Sequence, residues 1–82
     1  MYTDLDEQID VVVLYEKGTL KPLRFLWQGR SFKIARVTGT WKAPQGDKWM
    51  RHFSVVDQSD NVFFLTYEER SMRWAISKVW VE

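Results

Sequence analysis

The residues best placed to do chemistry are cations set among aromatic rings. Between positions 24 and 53, Arg24, Arg30, Lys33, Arg36, Lys42 and Arg51 alternate with Phe25, Trp27, Phe32, Trp41, Trp49 and Phe53. Single-stranded nucleic acid is bound by this pairing, with cations on phosphates and flat rings on bases. In a strand, however, a ring that alternates with a charge lies on the opposite face. Phe25, Trp27 and Phe32 are therefore expected in the core, with the charges outside, solvated or paired with acids.

Other catalytic material is scarce. The chain has no cysteine, which removes disulfides, thiolate metal sites and a Cys nucleophile. His52 is the one histidine and is expected to be a surface or hydrogen-bonded residue. Asp4, Asp6 and Asp10 lack the mid-loop glycine and terminal Glu of a calcium loop. Glu68-Glu69 are adjacent, so they do not face each other across a cleft as a glycosidase pair would. No Gly-rich phosphate cradle or nucleophile elbow occurs. Expectations are a protein without enzymatic activity, metal or cofactor.

Charge is unevenly spread behind a net +1. Residues 1–16 hold five acids and no base, whereas residues 17–55 hold nine bases against Asp47 alone. Residues 56–82 hold five acids and three bases. The acidic N-terminus is the opposite of a signal peptide, and no apolar run approaches a membrane span. A cytoplasmic protein with no membrane partner, monomeric rather than oligomeric, is the expectation.

The elements that must position these residues have a period of two. Residues 9–15 are β-branched and aromatic and predict a strand, preceded by an acidic leader over 1–8 that is expected to be disordered. Gly18 marks a turn and Pro22 punctuates the route to a strand over 23–27. Gln28-Gly29 predicts a two-residue hairpin, followed by a strand from Arg30 to about Trp41. Its inward set steps by three from Ile34 to Val37, which predicts a bulge near Ala35-Arg36. Strands over 49–56, 62–67 and 72–81 complete the set, with a terminal helix as the lesser alternative for the last.

With 82 residues there is room for one domain, here 9–82. Five to six short strands joined by tight turns predict an all-β fold, a small antiparallel barrel or strongly bent sheet, SH3-like in size. Thirteen aromatics supply its core, for which the expected set is Phe25, Trp27, Phe32, Ile34, Val37, Phe53, Val55, Phe64 and Trp74. Trp41 and Trp49 flank a loop at Pro44–Gly46 and are expected to cap an open end, or to leave one ring exposed at a rim. The apolar ending at Val81-Glu82 leaves open that the chain is part of a longer protein.

The stretch from Val11 to Trp80 resembles a small uncharacterised all-β domain family of bacteria. The resemblance is carried by Gly18 and Pro22, the segment Phe25-Leu26-Trp27-Gln28-Gly29-Arg30-Ser31-Phe32, then Ile34, Val37, Trp41, Trp49, Arg51, Phe53, Val55, Phe64 and Trp74. Such domains stand alone, and are similar to the C-terminal module of inactive Y-family polymerase relatives in bacterial mutagenesis systems. The chain departs from the pattern at Gln28, at Ser54 and in its acidic leader. The resemblance implies a non-catalytic β module accessory to DNA repair or mutagenesis, and it transfers no catalytic residue. Two functions follow as expectations. One is a protein-interaction module using a strand edge or a Trp-lined rim. The other is a nucleic-acid-binding module using the basic 24–51 face. The candidate contacts are Arg24, Arg30, Lys33, Arg36, Lys42, Trp49 and Arg51.

Overall fold

Alternating apolar residues and two-residue turns fold the chain into a six-stranded antiparallel meander. The computed structural model describes residues 1–80. Its strands are β1 (Tyr2–Glu16), β2 (Thr19–Trp27), β3 (Arg30–Gln45), β4 (Lys48–Asp57), β5 (Val62–Glu68) and β6 (Arg73–Trp80). Each pairs with the next, and β6 pairs back onto β1, so the sheet closes into a barrel. The ring is uneven: β2 and β3 pair only over Arg24–Trp27 and Arg30–Lys33, so Thr19–Leu23 of β2 and Ile34–Gln45 of β3 have no ladder partner on that side. The expected end of the last strand at Val81 lies outside the described residues.

The leader is the main departure from expectation. Residues 2–8 are the first half of β1 and pair with β6, as in Tyr2↔Trp80 and Gln8↔Ala75; the second half pairs with β2, as in Val11↔Phe25. An acidic, weakly apolar segment carries no strand signal of its own. Its order comes from the β6 backbone, which would otherwise be an open edge.

The turns follow local chemistry. Lys17 and Gly18 have φ of 52° and 75°, and Gln28 and Gly29 have 52° and 74°, so both loops have the two left-handed residues of a hairpin turn whose twist matches the right-handed twist of the strands. No atom lies within 4 Å of where a Cβ on Gly29 would sit, so a substitution there meets only backbone strain. Gly29→Ala should cost about 1 kcal/mol and Gly29→Val more. Gly39→Ala, whose added Cβ would meet Ser54 and Trp41 at an ordinary 3.8 Å, should be close to neutral. Urea midpoints of the three variants check this ordering.

Three register slips in β3 and β6 decide which side chains face in. The β3–β4 register slips between Ile34 and Arg36, where it was expected, and again between Val37 and Gly39. In β6 the register passes from Leu65↔Ile76 to Phe64↔Lys78, leaving Ser77 as the extra residue. The Ser77 hydroxyl donates to the Phe64 carbonyl at 3.1 Å. Without that slip Trp80 would share the inner face of Trp74 and Ile76; with it, Trp80 turns outward.

The core comprises Ile9, Phe25, Phe53, Val55, Phe63, Leu65, Trp74 and Ile76. Trp27, Phe32, Ile34 and Val37 flank it half-buried. Phe64 does not belong to it. The run Val62-Phe63-Phe64-Leu65 is apolar on both parities, so its phase is not legible, and the barrel takes Phe63 and Leu65 inward. At the β4–β5 turn the buried Asp57 carboxylate accepts hydrogen bonds from the backbone N–H groups of Ser59 (2.9 Å) and Asn61 (2.8 Å) and from the Asn61 amide (3.0 Å).

Candidate functional site: an outer aromatic face

The basic segment does not fold into one patch. Lys42 and Arg51 are cross-strand partners that both reach Glu69, at 3.1 and 2.6 Å. Lys48 pairs with Glu68 at 2.9 Å, and Lys42 also lies over the Trp49 ring, 5.5 Å from its centroid. These cations are thus tied to the β5–β6 turn. Arg24 and Lys33 face each other across β2–β3, and Arg30 sits over Phe32 at 5.6 Å. Arg24, Arg30, Lys33 and Arg36 have no acid within 4 Å among the described residues, so the acidic leader does not pair with them. Instead Glu7 accepts a hydrogen bond from the Trp27 indole at 3.2 Å.

Those ion pairs give the turn a pH dependence. Hydrogen bonds from Ser71 and then Lys48 hold the Glu68 carboxyl below the ordinary 4.5, and Arg51 followed by Lys42 do the same for Glu69. A carboxylate lowered in the folded state contributes stability above its unfolded pKa and loses it as pH falls. A Glu68→Gln, Glu69→Gln double variant should therefore have a somewhat lower urea midpoint than the parent at pH 7 and converge with it as pH falls below about 4.5, giving a flatter acid decline.

Phe64, expected inside from its alternation, belongs instead to a second surface. On the outer face of the sheet formed by β3, β4, β5, β6 and β1, aromatic rings run from strand to strand. The Trp41 ring stacks on His52 at 5.2 Å with an interplanar angle of 5°, and meets Phe64 edge-on at 6.5 Å. Phe64 meets Tyr2 at 5.1 Å, and Tyr2 meets Trp80 at 4.8 Å. Gly39 leaves the space beside Ser54 over which Trp41 lies. Burial beneath the indole pushes the His52 imidazole below its ordinary 6.5.

These rings remain wet. Trp41 and Tyr2 are each 47% exposed and Trp80 37%. Trp49, at 54%, is exposed beside the β3–β4 turn, so neither Trp41 nor Trp49 caps the barrel end as expected. The signal for this face was present in the sequence as Tyr2, Trp41, Phe64 and Trp80, but their assembly depends on closure of β1 on β6 and on the Ser77 bulge.

The geometry defines a closed six-stranded antiparallel barrel with one aromatic outer face. No family model, curated protein or solved structure matches the chain. No helix among the described residues is long and apolar enough to cross a membrane.

Proposed function

We propose that this protein is a non-catalytic interaction module that binds a protein partner through the outer aromatic face. The observation that carries the reading is the row Trp41, Phe64, Tyr2 and Trp80, which spans β3, β5, β1 and β6 and lies outside the core. Aromatic rings exposed together on a small domain are the residues that dominate protein interfaces. Their edge-on packing against one another favours a protein over nucleic acid, because base stacking needs free, separated ring faces. A place in DNA repair or mutagenesis follows only from the family resemblance, and belongs to the proposal.

The test is site-specific photocrosslinking in the producing cell. Benzoylphenylalanine in place of Trp41 or Tyr2 should trap a polypeptide, and in place of Lys33 should not. Excess wild-type protein should compete with that adduct, while a Trp41→Ala, Tyr2→Ala double variant should not. Failure to trap any polypeptide at Trp41 or Tyr2 overturns the reading.

The free cations Arg24, Arg30, Lys33 and Arg36 support nucleic acid as a second reading. Binding there would give a slope of log affinity against log salt of about −2.8 for roughly four phosphate contacts. Replacing Arg30, Lys33 and Arg36 with Gln would flatten it. Nuclease-sensitive adducts at position 33 alone would favour this reading over the first.

A further inference from the structure

The ladder between β2 and β3 ends at the rung Arg24↔Lys33, and beyond it the two strands part. Residues 19–23 of β2 pair only with β1, and residues 34–45 of β3 pair only with β4. No backbone hydrogen bond outside the ladders reaches either stretch among the described residues. A seam is left with unpaired backbone N–H and C=O groups along both sides. Such an edge is a template for one more strand.

The side chains along the seam differ between its two faces. On the inner face Leu20, Ile34 and Val37 are half-buried and pack against the core. On the outer face Lys21 and Arg36 are exposed. The two open stretches hold Lys21, Arg36 and Lys42 and no acid. Lys42 is tied to Glu69, whereas Lys21 and Arg36 have no acid within 4 Å among the described residues. Glu16, opposite Thr19 on β1, pairs with neither of them. Lys33 lies on the closing rung and belongs to neither open stretch. A strand that fits this seam has an apolar face toward Leu20, Ile34 and Val37 and an acidic face toward Lys21 and Arg36. Like charges on the two edges oppose pairing with a second copy of the chain, and phosphates would use neither the backbone groups nor the apolar side. We propose that the seam binds an extended protein segment of alternating acidic and apolar residues, added as a strand along the free edge of β3. The site uses the backbone edge and not the aromatic row, and stands whatever that row binds.

The experiment is titration of the full chain with a fluorescein-labelled heptapeptide of alternating glutamate and valine, read by anisotropy and by amide hydrogen exchange. Binding is expected with a Kd on the order of 10–100 µM at low salt. It should weaken severalfold between about 50 and about 200 mM salt. The amides of residues 36–42 that face the seam should gain protection. A lysine–valine heptapeptide should not bind, and neither should the glutamate peptide methylated on every amide nitrogen, which keeps its charge but cannot donate to a strand. Arg36→Glu and Lys21→Glu, at exposed positions without partners, should each weaken binding about fivefold. Lys78→Glu on β6 makes the same change in net charge and should leave the affinity unchanged. The proposal is overturned by no binding, by equal affinity for the lysine or methylated peptide, or by charge reversals at the seam that act no more strongly than Lys78→Glu. Displacement of the peptide by a lower concentration of octathymidylate would assign the seam to nucleic acid. Protection of the same amides by raised protein concentration alone would assign it to a second copy, and either result overturns the proposal.

Discussion

Replacing Phe63 with alanine should lower stability by about 3–5 kcal/mol, whereas the same change at Phe64 should cost roughly 1–2 kcal/mol. The two rings are adjacent in sequence and chemically identical, so the contrast isolates which way each one points. Phe63 is 2% exposed and meets Phe25, Trp27 and Phe32 at 5.0, 6.1 and 5.4 Å. Its removal would leave a cavity among rings that cannot collapse, in a domain whose total stability is on the order of 4–12 kcal/mol. Phe64 loses only partly wet contacts with Tyr2 and Trp41, although its loss should impair partner binding. Urea midpoints measure both. A larger loss at Phe64 than at Phe63 would mean that β5 faces the other way.

The second large effect concerns residues 1–8. Deleting them should unfold the domain or drive it to self-associate, not trim an idle tail. The deletion removes the β1 partner of β6 from Tyr2↔Trp80 to Gln8↔Ala75, which leaves the β6 backbone as an open edge. It also removes Leu5, which packs against the core. Ile9, 5% exposed, would remain at a frayed chain end. Far-ultraviolet circular dichroism and size-exclusion chromatography report the outcome. A monomeric deletion variant with the parent's urea midpoint would contradict the closed barrel.

Gln28-Gly29, the alternation through Phe25 and Trp27, and the three-residue step from Ile34 to Val37 each carry their structural meaning within a few residues. Turn conformation and strand phase depend on local backbone sterics and on which side chains avoid water. The all-β class, the tight hairpin and the first β3 bulge were legible for that reason. The division of the charges was half legible: Glu68-Glu69 stand out as possible partners, but nothing local says that both Lys42 and Arg51 reach Glu69 while Arg24 and Lys33 reach no acid.

What the sequence alone determined was therefore the strand class, the turns and most of the inward set, because these depend on neighbours in the chain. Only the tertiary structure decided that the acidic leader is a strand, that Phe63 and not Phe64 faces inward, and that Trp80 joins Tyr2, Phe64 and Trp41 outside. Each depends on pairing between residues up to 78 positions apart, as in Tyr2↔Trp80. Closing β1 onto β6 satisfies backbone groups that no local pattern records, and one extra residue at Ser77 then reverses every side chain beyond it.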